Sequence, residues 1–109
     1  LRRPTPFAGN VLKVGPITLD TTSHEVMRDG EVVELLPKEF ALLAFFMRHP
    51  NQVFSADALL DRVWSSDSEA SPETIRTYIK RLRKKIDEKG KPSMVGTVHG
   101  VGYKLVGPD

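Results

Sequence analysis

Residues 71–90 read Ser-Pro-Glu-Thr-Ile-Arg-Thr-Tyr-Ile-Lys-Arg-Leu-Arg-Lys-Lys-Ile-Asp-Glu-Lys-Gly, and their punctuation is that of a helix. Ser71 can cap it, Pro72 fits the first internal position, Glu73 supplies an acid in the first turn, and Gly90 stands where a left-handed C′ residue belongs. The span predicts about five turns. Ile75, Ile79, Leu82 and Ile86 fall at steps of four, three and four, one apolar stripe that has to be buried against other elements. The opposite side presents Thr77, Lys80, Arg81 and Lys84, flanked by Glu73 and Arg76 on one edge and by Thr74 and Tyr78 on the other.

That outward face is strongly basic. Residues 71–91 hold eight lysines and arginines against three acids, a local charge of +5, whereas the 109-residue chain carries only +2. The rest is therefore acidic, and the molecule is electrically polarised. A basic run of this kind can be the solvated side of a surface helix. Three features point instead to nucleic acid: no acid interrupts the run from Arg76 to Lys85, Thr77 and Arg81 have the size and chemistry to reach base edges, and the positive charge is balanced elsewhere. The helix reads as a recognition helix.

Composition bounds the alternatives. With 39% hydrophobic and 28% charged residues the chain suits one domain with a modest core. The sequence has no cysteine, which removes disulfides, zinc–thiolate sites and thiolate catalysis, and is compatible with a cytoplasmic setting. No apolar run reaches the length of about 20 residues needed to span a membrane, so no membrane association is predicted. His24, His49 and His99 belong to separate elements without metal-ligand spacing, and no pair of carboxylates sits in an apolar setting. These patterns point away from an enzyme, and no cofactor is implied.

Outward from the basic helix, the chain begins with a proline-interrupted stretch, residues 1–10, read as an interdomain linker remnant of a longer protein, and residues 11–107 as the domain. From Val11 to Leu35 short β-rich runs alternate with turn signals: VLKV, Gly15-Pro16, ITLD, Thr21-Thr22-Ser23, HEVMR, Asp29-Gly30 and EVVEL. These predict four antiparallel strands, with Asp-Gly as a hairpin turn. Pro37 opens a helix through KEFALLAFFMRH, whose three phenylalanines read as core, and His49-Pro50-Asn51 ends it. Val53-Phe54 is long enough for one rung of a sheet. Ser55 caps ADALLDRVW, with Ala58, Leu59 and Val63 facing inward. Trp64 is either a packing residue or an indole N–H donor to a phosphate or partner.

Residues 65–70, SSDSEA, connect this helix to the basic one, so helix, loop and helix form a helix-turn-helix with a long turn. They read as a solvated linker or a contact surface. After Gly90, residues 94–106 predict a hairpin around His99-Gly100-Val101-Gly102; with no following helix, these glycines do not make a nucleotide fingerprint. A basic helix followed by a hairpin is a winged helix. The fold class is α+β: a winged helix-turn-helix with an N-terminal four-stranded antiparallel sheet, three helices and a C-terminal β-hairpin wing.

This order of elements, with Pro37-Lys38-Glu39-Phe40, Leu42-Leu43, Phe54-Ser55, Leu59-Leu60, Val63-Trp64, the helix Thr74-Ile75 to Lys84, and Thr97-Val98 with Gly100, Gly102 and Tyr103, resembles the OmpR/PhoB family of response-regulator DNA-binding domains over Val11 to Val106. The resemblance implies sequence-specific binding to tandem half-sites of double-stranded promoter DNA, with helix 72–89 in the major groove and the wing, residues 99–102, near the minor groove. It implies that Thr74, Thr77 and Arg81 face bases, that Arg76 and Tyr78 tune base choice, and that Lys80, Arg83 and Lys84 meet phosphates. Thr97, His99 and Trp64 complete the implied DNA-binding set. Ser65, Ser66, Asp67, Ser68, Glu69 and Ala70 match the family's RNA polymerase contact loop. An N-terminal receiver domain and its sensor histidine kinase are further implied partners, in a cytoplasmic bacterial phosphorelay. The domain is expected to be a monomer alone and a head-to-tail pair on DNA. Two residues depart from the pattern: Glu73 replaces a common phosphate-binding Arg, and His99 replaces a common minor-groove Arg. They leave open a winged helix that binds a protein partner instead.

Overall fold

A computed structural model describes residues 11–65, 69–87, 90 and 93–107; the predicted linker at residues 1–10 lies outside them. Four short strands come first: β1 (Val11–Val14), β2 (Ile17–Asp20), β3 (Glu25–Arg28) and β4 (Glu31–Val33). They form an antiparallel meander in chain order, with Leu12 opposite Leu19 and Val26 opposite Val33. Asp29 and Gly30, at φ 52° and 86°, make the tight turn that the Asp-Gly pair predicts. Ile17, Leu19 and Val26 put one face of the sheet into the core.

Helix α1 (Pro37–Arg48) is the hub, packing on β1, on α2 (Ala56–Val63) and on α3 (Pro72–Ile86). Its residues Leu42, Leu43 and Phe46 are fully buried. The Ser55 hydroxyl accepts from the Ala58 N–H at 3.1 Å and caps α2. The chain then returns as hairpin β5 (Val95–Val98) and β6 (Gly102–Leu105). The rung predicted at Phe54 exists: Phe54 and Tyr103 exchange both backbone hydrogen bonds, at 2.8 and 2.9 Å. Asn51 adds a third bond, to the Leu105 carbonyl. The hairpin is thereby sewn to the loop between α1 and α2.

The structure corrects one boundary. Helix α3 has 15 residues and ends at Ile86, short of the predicted range 72–89. The Asp87 N–H closes on the Arg83 carbonyl, and the next carbonyls turn to Arg28, whose guanidinium donates to Ile86 and Asp87 oxygens at 2.8 and 2.6 Å. A cation at the negative end of a helix satisfies the orphan carbonyls and stops the helix there. Gly90 is left-handed, at φ 83°, but lies beyond that cap. Residues 88 and 89 are outside the described set.

Candidate nucleic-acid interface

The stripe that forces α3 to dock is complete: Ile75, Ile79, Leu82 and Ile86 are each at most 1% exposed. Four apolar side chains at helical spacing fix the rotation of the helix, and that rotation turns Arg76, Thr77, Lys80, Arg81 and Lys84 to solvent. At the N-terminus the Thr74 hydroxyl accepts from the Ser71 N–H at 3.0 Å, the part usually played by Glu or Gln in a capping box. Thr74 is thus half-buried and partly committed to the cap.

The cations divide into two groups. Lys80, Arg81 and Lys84 are exposed to solvent. Arg83 and Lys85 flank the buried stripe on opposite sides and are drawn into the protein. Arg83 donates from Nε to the Val95 carbonyl at 2.8 Å and from a terminal nitrogen to the Thr97 hydroxyl at 2.6 Å. Lys85 meets Glu39 Oε1 at 2.6 Å, and Glu39 is wholly buried. The same carboxylate oxygen accepts from the Leu36 N–H at 2.9 Å, so one acid closes the N-terminus of α1 and grips the far end of α3. Of the residues that the resemblance implies at phosphates, Lys80 and Lys84 thus face solvent, whereas Arg83 is bonded to β5, and Lys85 is tied to α1. Glu39 and Arg28 were missed as supports. The signal for Glu39 was present, because Glu39, Leu42, Leu43 and Phe46 follow one i, i+3, i+4, i+7 face; nothing in the sequence links Arg28 to a helix end 58 residues away.

Arg76 pairs with Glu73 at 2.6 Å, with both side chains 73% exposed. Such a pair contributes roughly 0–1 kcal/mol and is screened by salt, but it tempers the positive charge at that end of the face. Trp64 is only 3% exposed, which supports its packing role. Its ring lies 5.1 Å from that of Tyr78, with Lys38 Nζ 5.6 Å above it, and the Arg81 guanidinium sits 5.3 Å from the Tyr78 ring. The run of contacts Lys38, Trp64, Tyr78, Arg81, with the two rings edge to face, restrains Arg81 before any ligand arrives, reducing the side-chain entropy lost on binding.

At the wing, Thr97, His99, Gly100 and Val101 are exposed, Val101 at 58%. Gly100, at φ 76°, makes the turn. Gly102 has a different reason: a Cβ there would lie 2.1 Å from the Phe54 carbonyl oxygen. In the loop before α3, Ser65 and Glu69 are exposed and Ala70 is half-buried; Ser66, Asp67 and Ser68 fall outside the described residues. Among the described residues no group of three or more His, Asp or Glu could hold a metal ion, and no helix is long and apolar enough to cross a membrane.

Residues 30–105 match the protein family described as transcriptional regulatory protein, C terminal. The chain belongs to that family. It is 42% identical over 106 residues to the phosphate regulon transcriptional regulatory protein PhoB of Escherichia coli K12, covering 96% of this chain and 46% of that protein. It thus spans about half the length of the curated relatives it matches. Among solved structures, the Thermotoga maritima response regulator DrrB, an OmpR/PhoB homolog, superposes with a TM-score of 0.79 at 32% identity, over 90% of this chain and 45% of that one. The Klebsiella pneumoniae RstA DNA-binding domain, solved in complex with the RstA box, gives 0.77 at 30% identity, over 88% and 96%. The OmpR/PhoB resemblance and the winged-helix fold read from the sequence are both borne out. As a member of this family, the domain is a transcriptional effector domain.

Proposed function

We propose that this domain binds promoter DNA sequence-specifically by inserting the exposed face of α3 into the major groove. The observation that carries the proposal is the isolation of Thr77, Lys80, Arg81 and Lys84 on one solvent face of a helix whose opposite face is completely buried. An α-helix fits the major groove, and a guanidinium reads guanine by a bidentate pair, whereas lysines meet phosphates as point charges. Arg81, held against Tyr78, is the base-reading residue, with Thr77 beside it and Thr74 and Tyr78 shaping its surroundings. Arg76 keeps its tuning role, moderated by Glu73. Lys80 and Lys84 supply sequence-independent affinity. The wing tip, with His99, lies against the neighbouring minor groove, and Trp64 acts by supporting Tyr78.

By analogy with its relatives, the domain works in a two-component response regulator, joined to a receiver domain controlled by a sensor histidine kinase, in the bacterial cytoplasm. Ser65 to Ala70 contacts RNA polymerase, and two domains bind tandem half-sites head to tail, each a monomer when free.

Selection from a randomised duplex pool tests this reading. The expected product is a half-site repeated at about one helical turn. Arg81→Ala should then cost roughly 1–3 kcal/mol and relax preference at one base pair. An Arg81→Ala variant with unchanged affinity and unchanged preference would exclude Arg81 from base reading.

A further inference from the structure

The bond between Arg83 and Thr97 fixes more than the contact itself. A guanidinium has only donors, whereas a threonine hydroxyl has one proton and two lone pairs. With the Thr97 oxygen accepting from Arg83 at 2.6 Å, the hydroxyl proton has to point away from Arg83. Thr97 is exposed on β5, two residues before the wing turn, and among the described residues no acceptor takes that proton. The second Arg83 bond, to the Val95 carbonyl at 2.8 Å, anchors the guanidinium to the same strand, so α3 and the wing are locked through one side chain. The adjacent charge also polarises the hydroxyl and makes it a better donor.

We propose that Arg83 is a positioning residue that aims the Thr97 hydroxyl proton at a DNA backbone phosphate between the recognition helix and the wing. The proposal rests on the DNA-binding reading above and reassigns Arg83 from a phosphate ligand to the device that orients one. Lys84, the next residue, is free and exposed, so adjacent cations on one helix do different work.

The test compares wild type, Arg83→Ala, Thr97→Val, Thr97→Ser and the double variant Arg83→Ala/Thr97→Val, with Lys84→Ala as control. Each is titrated with the duplex recovered from the randomised pool and with a scrambled duplex, across a range of salt concentrations and well below its melting temperature. Arg83→Ala and Thr97→Val should each weaken binding about five- to tenfold, the effect of one charge-assisted hydrogen bond. The double variant should lose little more than either single one, Thr97→Ser should restore binding, and none should change the salt slope. Lys84→Ala should lower the slope by about 0.9, as loss of one phosphate contact does. The proposal is overturned if Arg83→Ala lowers the slope like Lys84→Ala, if the two losses multiply, or if neither variant weakens binding. Failure of wild type to bind either duplex would instead remove the DNA-binding reading on which the proposal depends.

Discussion

Replacing Gly102 by Ala is a one-methyl change whose cost can be worked from the structure. A Cβ on Gly102 would lie 2.1 Å from the Phe54 carbonyl oxygen, 2.6 Å from its carbon and 2.8 Å from the Ser55 Cα. All three are backbone atoms, so no side chain can swing aside. Relief requires β6 to move off the α1–α2 loop, which opens the Phe54–Tyr103 rung and its two hydrogen bonds. With about 0.5–1.5 kcal/mol for each bond and about 1–3 kcal/mol for overpacking, the expected loss is roughly 3 kcal/mol. For a domain of this size that lowers Tm by about 12–20 °C. Gly100→Ala is the internal control. Gly100 has the positive φ of 76° but open space around it, so only conformational strain of about 1 kcal/mol applies. Urea denaturation of the two variants, with m-values compared to wild type, decides the matter. A Gly102→Ala loss equal to or smaller than that of Gly100→Ala would refute close backbone approach as the reason for this glycine.

Three further expectations concern the supports of α3 and the N-terminal sheet. Lys85→Met leaves the buried Glu39 carboxylate facing an apolar side chain; because Lys85 is itself 36% exposed, the expected cost is about 2–3 kcal/mol in chemical denaturation, below that of a fully buried pair. Lys84→Ala should leave stability within about 0.5 kcal/mol of wild type, and equal effects at the two positions would contradict the division of the cations. Arg28→Ala removes the charged donor from the Ile86 and Asp87 carbonyls and should cost about 1.5–3 kcal/mol, with earlier hydrogen exchange at the last turn of α3; unchanged exchange there would exclude Arg28 as its cap. The Asp20 carboxylate accepts from the Thr22 and Ser23 N–H groups, which holds its pKa below the usual carboxylate range. A depressed folded pKa contributes stability above the unfolded value near about 4, lost as pH falls through the folded one. Stability of Asp20→Asn measured down that acid limb should fall less steeply than wild type, and an identical limb would contradict this.

Much of the architecture is legible because local signals and burial agree. The Asp29-Gly30 turn, the Ser55 cap and the Ile75, Ile79, Leu82, Ile86 stripe each specify their element without help from distant residues. The end of α3 was over-read because Gly90 is a good left-handed residue in the wrong place; a cap supplied by Arg28 from another layer outcompetes it. The same limit applies to the interface. Periodicity identifies which side of α3 faces outward, but Arg83 and Lys85 lie at the edges of the stripe, where only the neighbouring β5 and α1 decide which way a long side chain turns. Gly100 and Gly102 look alike in sequence and differ in cause, because the approach of Phe54 comes from outside the hairpin.

The central claim is that the exposed face of α3 reads a base sequence in DNA. The most direct measurement is the affinity of this chain for its selected duplex and for a scrambled duplex of equal length, at several salt concentrations. The account predicts that both affinities fall linearly with the logarithm of salt, reflecting phosphate contacts, and that the selected duplex stays tighter throughout. Equal affinity for the two duplexes, or binding insensitive to salt, would contradict it.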